Sequence, residues 1–318
     1  MKAFASDNWS GVHPEILKAI EKANYGHQAA YGDDGFTKNA EIAFQEVFGE
    51  DSHTYFVFNG TAANIVALDC LTHSFNSVIC SEHAHIHVDE CGALEKLTSS
   101  KMIAFPSADG KLYPDQLRAC VKADRYPHQS VPKVISITQS TELGTVYTLD
   151  EIAELAELAH ANDLYLHVDG ARISNATVYL NTDFRSMLKD TGVDVLSFGG
   201  TKNGLMFGEA VVFLKPELNK YFELYRKQGM QLFSKNRFIA AQFLALLEND
   251  LWKQNATHTN AMAKILEKKL KAHPQIQISQ KVESNGVWAI IPKNIAVKMQ
   301  KNAHFYPWDE RKSEYRLM

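Results

Sequence analysis

Residues 164–172 of this 318-residue chain read LYLHVDGAR, a short and almost continuous apolar run that ends at Asp169. Such runs, rich in β-branched and aromatic residues, are typical of strands that are buried on both faces of a parallel sheet. Similar runs recur along the chain, at 55–58, 78–80, 134–138, 195–198 and 210–214. Because helical patterns lie between them, the sequence predicts an α/β fold with a mostly parallel central sheet.

Helical patterns occupy the stretches between and after these strands. Residues 151–159 carry apolar side chains at the i, i+3, i+4 spacing of an amphipathic helix. We expect Asp150 to cap the start of this helix and Asn162 to mark its end. Beyond residue 215 the pattern becomes mainly helical, with stretches at 238–251 and 262–270.

The last part of the chain predicts a second, smaller α+β domain. Candidate strands follow the helical stretches, at 276–281 and 287–291, and residues 313–318 resemble the start of a further strand. We therefore divide the chain into a large domain at 15–245 and a small C-terminal domain at 246–318. Since the sequence stops inside a predicted strand, we expect this small domain to be truncated.

The composition excludes several classes of protein. The 33 Lys and Arg residues against 37 Asp and Glu residues leave a net charge of -4, without the basic excess that nucleic acids or anionic membranes attract. No apolar run approaches the ~20 residues of a membrane span, and the first residues lack the apolar core of a signal peptide. The cysteines are too sparse for a disulfide scaffold and form no C-x-x-C pair, which favours the cytoplasm: Cys70, Cys80, Cys91 and Cys120.

Three segments at predicted strand ends carry residues suited to chemistry, and the first is FNGTAAN at 58–64. Here a strand leads into a helix that opens with Gly60 and Thr61. The exposed N–H groups and the positive dipole end of such a helix bind anions, and Thr61 adds a hydroxyl donor, so the segment suits a phosphate. The alternative is a glycine turn with Thr61 as N-cap. Neither a G-x-G-x-x-G nor a Walker motif occurs.

The second segment is the stretch quoted at the start, in which Asp169 closes an apolar strand. An unpaired carboxylate is costly in such a low-dielectric position, and a cationic partner would keep it ionised. A protonated pyridinium is a partner of this kind. The alternative is that Asp169 caps the helix that follows.

The third segment, VLSFGGTKNG at 195–204, places Lys202 in a glycine-rich turn directly after a strand. Glycines let the backbone approach a ligand, and a desolvated lysine has a lowered pKa that suits Schiff-base chemistry. Asp169 and Lys202 lie 33 residues apart, about one strand–helix–strand step, so we expect them at neighbouring strand ends on one edge of the sheet. The phosphate site, the Asp and the Lys together predict a pocket for pyridoxal 5'-phosphate (PLP).

In these motifs the chain resembles the low-specificity L-threonine aldolases, in the β-eliminating lyase group of fold-type I PLP enzymes. The resemblance runs nearly end to end and rests on the motifs SDN at 6–8, AYGDD at 30–34, FNGTAAN at 58–64, ECGA at 90–93, HVDGAR at 167–172 and GGTKNG at 199–204. It implies a three-layer sandwich around the central sheet and an N-terminal arm at 1–14 that contributes to the site. The implied reaction is the cleavage of L-threonine, L-allo-threonine and related β-hydroxy-α-amino acids to glycine and an aldehyde.

The resemblance also implies how the cofactor is held. Lys202 would form the internal aldimine with PLP. Asp169 would pair with the pyridine nitrogen and keep it protonated, so that the ring works as an electron sink. His85 would stack on the ring, and Gly60 and Thr61 would hold the phosphate.

For the substrate carboxylate, the resemblance implies a site made of Ser6, Arg172 and Arg316. Arginine suits this task because its planar fork binds a carboxylate through two hydrogen bonds. Arg172 is expected to contact the cofactor as well. Arg316 lies two residues before the end of the sequence, where the family continues into further strand and helix.

The base that takes the proton of the substrate's β-hydroxyl stays open between His85, His128 and a water molecule. His128 matches a second histidine of the family, near the substrate hydroxyl, although its polar surroundings favour a solvated loop. Histidines at 83, 85 and 87 alternate as they would on a metal-binding strand. No acidic or thiol partner is placed to complete a zinc set, so we expect no metal.

Lys235 matches a basic residue that reaches the partner subunit's phosphate in relatives, and it is otherwise typical of a surface charge. The resemblance thus implies a homodimer or homotetramer with shared active sites, acting on a small amino-acid substrate. Two other functions stay open. One is a phenylserine aldolase or another β-eliminating PLP lyase on the same scaffold, and the other is a non-catalytic homologue that binds PLP.

Overall fold

The computed structural model describes residues 2–122 and 127–318, in which strands and helices alternate through much of the chain. The strands are β1 (Lys2–Ala3), β2 (His53–Val57), β3 (Asn76–Ser81), β4 (Lys101–Phe105), β5 (Val131–Thr138), β6 (Tyr165–Gly170), β7 (Val195–Gly199), β8 (Glu209–Phe213), β9 (Gln277–Ile278), β10 (Val287–Ile290), β11 (Ala303–His304), β12 (Tyr306–Asp309) and β13 (Glu314–Leu317). The helices are α1 (Pro14–Ala23), α2 (Gly35–Phe48), α3 (Gly60–Leu71), α4 (His85–Val88), α5 (Ala93–Thr98), α6 (Pro114–Val121), α7 (Leu149–His160), α8 (Ile173–Leu180), α9 (Phe184–Leu188), α10 (Phe222–Gln228), α11 (Arg237–Leu247), α12 (Leu251–Lys271) and α13 (Lys293–Gln300).

The central sheet has seven strands among the described residues, in the order β2-β8-β7-β6-β5-β3-β4. It is mostly parallel, as predicted, and β8 runs antiparallel to both of its neighbours. Each of the six apolar runs named above lies mainly within one of these strands. The sequence analysis does not predict β4, an edge strand in which Lys101 is exposed and the other four residues are only half-buried.

Two hydrophobic cores lie on the two faces of the sheet. Successive strand residues enter opposite cores, since Ile135 packs into one and Val134 into the other. The first core also takes in α7 and α11, and the second takes in α3 and α10. This arrangement is the predicted three-layer α/β sandwich.

The helix predicted over 151–159 is α7, but its N-cap is Thr148 and not Asp150. Thr148 Oγ1 accepts a hydrogen bond from the backbone N of Glu151 at 3.2 Å, and Glu151 Oε2 accepts one from the backbone N of Thr148 at 2.8 Å. This reciprocal capping box satisfies two backbone donors at once, which a single Asp cap does not do. Asp150 therefore lies inside the first turn, and Asn162 follows the helix end as expected.

The stretch 238–251 is not one helix, contrary to the prediction. α11 ends at Leu247, and α12 begins only at Leu251. Between them Asn249 (φ 54°) and Asp250 (φ 55°) take the left-handed conformation, which Asn and Asp tolerate better than other side chains. The stretch 262–270 belongs to α12, and no helix in the described ranges is both long and apolar enough to cross a membrane.

The C-terminal part forms a separate antiparallel sheet in the order β12-β13-β10-β9. The strands predicted at 287–291 and 313–318 are β10 and β13, whereas only two residues of 276–281 pair as β9. β1 pairs in parallel with β11. The N-terminal segment therefore packs against the C-terminal part before the chain enters the large sheet.

Candidate active site

The ends of β5, β6 and β7 and the start of α3 enclose a cavity of about 280 Å³. Parallel strands present their carboxyl ends at this edge of the sheet, which is where α/β folds bind ligands. Six of the residues that the sequence singles out line the cavity: Gly60, Thr61, His85, Asp169, Arg172 and Lys202.

The start of α3 offers two backbone donors to the cavity. Asn59 is the N-cap, and its Oδ1 accepts a hydrogen bond from the backbone N of Ala62 at 2.9 Å. The alternative of Thr61 as N-cap is therefore wrong. The N–H groups of Gly60 and Thr61 take no part in this cap, and a Cβ at Gly60 would meet nothing within 4 Å. An anion can approach this helix start closely.

Asp169 is buried at the end of β6 and does not cap α8. The N-cap of α8 is Arg172, which makes no side-chain capping bond. Asp169 Oδ1 accepts a hydrogen bond from the backbone N of Ala171 at 3.0 Å, and Oδ2 accepts one from Asn64 Nδ2 at 2.8 Å. These two donors fix the orientation of the carboxyl group, so it presents a defined edge to the cavity.

Lys202 lies in a short 3-10 helix, Thr201–Asn203, directly after β7. Burial lowers the pKa of its amine, and the positive charge of nearby Arg172 lowers it further. The negative charges of Asp7 and Asp169 act in the opposite direction. The amine therefore loses its proton more readily than an exposed lysine does, as Schiff-base formation requires.

The turn that carries Lys202 is fixed by close packing and by Glu209. A Cβ at Gly199 would lie 2.4 Å from the carbonyl oxygen of Ala171, so this position needs glycine. Glu209 Oε2 accepts a hydrogen bond from the backbone N of Gly200 at 2.6 Å, and burial raises the pKa of Glu209 to about 7. Because β6 and β7 are neighbours, the turn brings Lys202 to the same cavity as Asp169.

His85 begins the short helix α4, and its ring reaches the cavity. Its Nδ1 lies 2.7 Å from Glu90 Oε1, and this hydrogen bond raises the pKa of His85. Asn64 Nδ2 donates to the same Glu90 oxygen at 3.0 Å and also contacts Asp169. The imidazole and the Asp169 carboxyl group are therefore linked through one buried network.

Arg172 forms a two-point ion pair with Asp7, a residue that sequence reasoning does not single out. Arg172 Nε donates to Asp7 Oδ2 at 2.7 Å, and Nη2 donates to Oδ1 at 3.0 Å. The two side chains are only 12% and 10% exposed. Burial alone would raise the pKa of Asp7, but the charge and hydrogen bonds of Arg172 outweigh it and lower the pKa to about 2.

Ser6 and Arg316 lie near Arg172 without lining the cavity, as far as the described residues show. Ser6 Oγ donates to Asp7 Oδ1 at 3.2 Å. Arg316 Nη2 donates to the carbonyl oxygen of Ala5 at 3.3 Å. Burial lowers the pKa of Arg316, and the positive charge of Arg172 adds to this effect, so the two guanidinium groups are close enough to repel each other.

Four further residues do not line the cavity in the ranges that the structure describes. His128 is exposed in a turn, and Lys235 is exposed just before α11. His83 and His87 flank His85, but residues 85–88 are helical, so the three histidines do not alternate along a metal-binding strand.

Sequence reasoning misses several polar residues of the cavity wall and its support: Asp7, Asn64, Glu90, Glu142 and Glu209. Three of them lie inside the motifs SDN, FNGTAAN and ECGA, which is the only sequence signal for them. Glu142 is a single acidic residue in the turn after β5, and Glu209 is the first residue of β8, with no pattern around either. They reach the site through sheet pairing and turns, which local sequence does not encode.

A strand-end Asp, a lysine in a glycine turn and an open helix start around one cavity define a PLP-binding α/β protein. The residues fit this cofactor, since they offer donors for a phosphate, a carboxyl group for a ring nitrogen and an amine for an aldehyde. Buried oxygen atoms of four lining residues have no hydrogen-bond partner among the described residues: Asn64 Oδ1, Glu90 Oε2, Ser140 Oγ and Glu142 Oε2. Buried polar atoms are rarely left unpaired, so this wall fits a polar ligand.

The family of the chain follows from its sequence. Residues 3–292 match the family model described as Beta-eliminating lyase, and the chain belongs to this family. Enzymes of this family depend on PLP, which agrees with the cavity.

Two relatives and one solved structure are similar to this chain over most of its length. The low specificity L-threonine aldolase of Pseudomonas sp. (strain NCIMB 10558) is 44% identical over 286 residues, which are 90% of this chain and 83% of the relative. The enzyme of the same name from Pseudomonas aeruginosa is 43% identical over the same shares. Among solved structures, Leishmania major threonine aldolase matches with a TM-score of 0.94 at 28% identity and covers 100% of this chain and 93% of that chain.

Fold alone does not select a reaction. Rhodiola rosea 4-hydroxyphenylacetaldehyde synthase matches with a TM-score of 0.73 at 14% identity, over 97% of this chain and 76% of that chain. This likeness shows a shared fold and nothing more.

Proposed function

We propose that this protein is a PLP-dependent lyase that cleaves L-threonine and L-allo-threonine to glycine and acetaldehyde, and related β-hydroxy-α-amino acids to glycine and other aldehydes. The observation that carries the proposal is the cavity shared by Lys202, Asp169 and the start of α3. The chain around this cavity is 43–44% identical to two low specificity L-threonine aldolases.

The cofactor is held at three points. When bound, PLP supplies an aldehyde that captures amines and a protonated ring that withdraws electrons from the bond that breaks. Lys202 provides the amine that holds the aldehyde, and its lowered pKa favours the neutral, nucleophilic form. Asp169 holds the proton on the ring nitrogen, with Asn64 and the Ala171 N–H keeping its carboxyl group in place.

Further residues of the cavity wall would hold the phosphate and contact the ring of PLP. The amides of Gly60 and Thr61 bind the phosphate, because they lie at the open start of α3 and are not used by its cap. His85 would pack on the ring of PLP, with its hydrogen bond to Glu90 holding the imidazole in place.

The substrate carboxylate binds to Arg172, with Ser6 and Arg316 completing the site. Asp7 occupies the Nε and Nη2 edge of Arg172, so the substrate meets the end of the guanidinium that carries Nη1. Two arginines that repel each other gain from an anion placed between them. Fixing the carboxylate in this way decides which bond of the α-carbon is aligned for cleavage.

The proton of the β-hydroxyl goes to His85 Nε2, directly or through one water molecule. The other ring nitrogen, Nδ1, is engaged with Glu90, and this contact raises the pKa of His85. A base must lie within hydrogen-bond reach of the proton that it takes, and His85 lines the cavity whereas His128 is exposed outside it.

We also propose a homodimer or homotetramer in which Lys235 reaches the phosphate of the partner subunit. The support is the exposure of Lys235 and the large exposed apolar side chains nearby in sequence, such as Met230 at 81%. A cytoplasmic location fits the cysteines, none of which is paired in a disulfide.

The test is a product assay on the purified, PLP-loaded protein. L-threonine, L-allo-threonine and phenylserine are supplied separately, and glycine, aldehyde, α-keto acids and ammonia are quantified. We expect glycine and acetaldehyde in equal amounts from both threonine isomers, without 2-oxobutyrate.

The other functions give different results in the same assay. Glycine from phenylserine alone would indicate a phenylserine aldolase. Formation of 2-oxobutyrate from threonine, or of phenylpyruvate from phenylserine, together with ammonia would indicate β-elimination. A protein that shows the absorbance of bound PLP but forms no product would be a non-catalytic homologue. Each of these results would contradict the proposed reaction.

A further inference from the structure

One buried carboxyl group beside Lys202 has no role in the mechanism above. Glu209 is the first residue of β8, it is only 7% exposed, and it lines the cavity. β8 lies between β2 and β7 in the central sheet, and Glu209 pairs with Gly199 at the end of β7. Because the chain turns directly after Gly199, Glu209 lies next to the turn that carries Lys202.

Glu209 holds this turn from the neighbouring strand. The N-cap of the 3-10 helix that contains Lys202 is Gly200, which has no side chain to accept a hydrogen bond. Glu209 Oε2 accepts a hydrogen bond from the backbone N of Gly200 at 2.6 Å. Hydrogen bonds to a carboxylate are stronger than those between neutral groups. The bond therefore fastens the backbone beside Lys202 to β8.

The charge of Glu209 also acts on the amine of Lys202. The charged and titratable side chains that act on this amine are Asp7, His85, Asp169, Arg172 and Glu209. Burial and the positive charge of Arg172 lower the pKa of Lys202. The negative charges of Asp7, Asp169 and Glu209 raise it. Asp7 is tied to Arg172 in a two-point ion pair, and Glu209 is tied to no cation in this way.

Glu209 itself titrates near neutral pH. Burial raises the pKa of its carboxyl group to about 7, while the hydrogen bond from Gly200 and the charge of Lys202 act against this rise. The carboxyl group therefore gains a proton as the pH falls through about 7. Its electrostatic effect on Lys202 is present above this pH and absent below it.

We propose that Glu209 is a positioning residue for Lys202, which holds the turn of the lysine through Gly200 and whose negative charge sets the pH range in which the amine is neutral. This inference deepens the proposed function and rests on it, since it takes Lys202 as the group that binds the cofactor. Only the neutral amine is nucleophilic. An amine that attacks an aldehyde and is displaced again needs both of its protonation states within reach.

The test measures the reactivity of Lys202 in the full chain freed of cofactor. Trace acetylation with acetic anhydride from about pH 6 to about pH 10 is followed by peptide mass spectrometry, because only a neutral amine reacts. The exposed Lys253 of the same sample is the reference. The proteins are the wild type, Glu209→Gln and Glu142→Gln, and circular dichroism checks that each is folded. Glutamine keeps an acceptor oxygen for Gly200 and removes the charge.

Glu142→Gln is the matched control. Glu142 also lines the cavity, and burial raises its pKa to about 7 as well. It contacts a different part of the wall, where its Oε1 accepts hydrogen bonds from the backbone N of His85 and from Thr138 Oγ1, each at 2.7 Å. We expect Lys202 in this variant to react as in the wild type.

We expect Lys202 in Glu209→Gln to react up to about tenfold faster than in the wild type near pH 8, because the loss of a nearby negative charge lowers the pKa of an amine. The ratio of the two rates should approach one near pH 6, where Glu209 of the wild type is protonated as well. A ratio that is the same at every pH, or slower reaction in the variant, would overturn the inference. If Glu209→Gln does not fold, Glu209→Met removes the same charge at a similar volume and must give the same pH-dependent ratio.

The outcomes also separate this inference from the proposed function. If borohydride fixes PLP to a different lysine, the proposed function fails and the inference fails with it. If PLP is fixed to Lys202 and the ratio of acetylation rates does not change with pH, only the role of Glu209 fails.

Discussion

Asp7 fixes the orientation of the Arg172 guanidinium group, which we propose binds the substrate carboxylate. The two-point ion pair is largely buried, and the pKa of Asp7 near 2 keeps it ionised above about pH 4. We expect Asp7→Asn to raise KM for L-threonine by about tenfold with a smaller effect on kcat, because an amide no longer anchors Arg172 against the repulsion of Arg316. Steady-state kinetics with L-threonine measure both constants.

A matched control for this change is Asp115→Asn. Asp115 also pairs with an arginine, Arg118, at 3.0 Å, but both side chains are largely exposed. Such a pair contributes little, so KM should stay as in the wild type. A lower KM in Asp7→Asn would mean that Asp7 competes with the substrate for Arg172, and this would contradict the positioning role.

The proposed function gives His85 both a contact with the cofactor ring and a proton-transfer role, and two substitutions separate these roles. His85→Phe keeps a flat surface and removes the titrating nitrogen, whereas His85→Ala removes both. If His85 takes the hydroxyl proton, both variants lose ~10²–10⁴-fold in kcat, and Phe still binds PLP with nearly normal affinity. Activity of His85→Ala equal to that of the wild type would exclude both roles, as measured by glycine release and PLP titration.

The residues of the site differ in whether the local sequence reveals them. Lys202 and Asp169 are visible in the sequence, because each follows an apolar strand inside a distinctive glycine-containing motif. Glu142 is not visible, because its importance comes from a contact with His85 across 57 residues of chain. Asp7 likewise meets Arg172 from 165 residues away. Such pairs depend on the tertiary fold and not on a pattern.

At the scale of elements, His167 ties β6 to both of its neighbours inside the sheet. Its Nδ1 lies 2.9 Å from Ser136 Oγ on β5, and its Nε2 lies 3.0 Å from Ser197 Oγ on β7. Burial lowers the pKa of His167 to about 4, against 6.5 in an unfolded chain. Between these two values the unfolded chain binds a proton that the native protein does not, so the free energy of unfolding falls as the pH falls.

We expect His167 to lower the free energy of unfolding by about 3 kcal/mol between pH 7 and pH 4. In His167→Gln this fall in the free energy of unfolding should be absent, although the variant is less stable than the wild type at pH 7. Urea unfolding of the wild type and the variant across this range measures the difference. His27→Gln, at an exposed histidine, is the control and should follow the wild type. The same pH dependence in His167→Gln and in the wild type would contradict the account.

The elements of the fold differ in how well the sequence predicts them. The apolar runs predict the buried strands because burial on both faces selects β-branched and aromatic residues throughout. The edge strand β4 escapes this rule, since one side of it meets no further strand of the sheet. The helix break at Asn249 and Asp250 also escapes, because both neighbouring stretches continue the helical pattern.

At the scale of the molecule, exposed apolar side chains near one backbone contact support the proposed self-association. The backbone N of Tyr31 donates to the carbonyl oxygen of Ser234 at 2.9 Å, so the segments around residues 31 and 234 lie side by side. Tyr31 is 52% exposed, and Met230, close to Ser234 in sequence, is 81% exposed. Contiguous apolar side chains at a surface mark interaction sites.

We therefore expect the purified protein to sediment as a dimer or tetramer of its 35.7 kDa chain. Met230→Glu should weaken this assembly and lower activity together, because in the proposed oligomer the partner subunit contributes Lys235 to the site. Tyr113→Glu, another exposed apolar residue in a different part of the chain, is the control. A fully active monomer in sedimentation velocity at assay concentration would contradict the shared site.

The overall architecture follows from strand and helix alternation, but the placement of the chain termini does not. β1 pairs with β11, about 300 residues further on, through two residues of each strand. No local pattern predicts a contact of this length. The consequence is functional, because this pairing carries Ser6 and Asp7 towards Arg172.

The central claim is that Lys202 holds the cofactor with which this protein cleaves L-threonine. The most direct measurement is borohydride reduction of the PLP-loaded protein, followed by peptide mass mapping and a glycine assay on Lys202→Ala. The account predicts the added mass of the reduced cofactor on the peptide that contains Lys202, with both the label and glycine release lost in the variant. Label on a different lysine, with glycine release intact in Lys202→Ala, would contradict it.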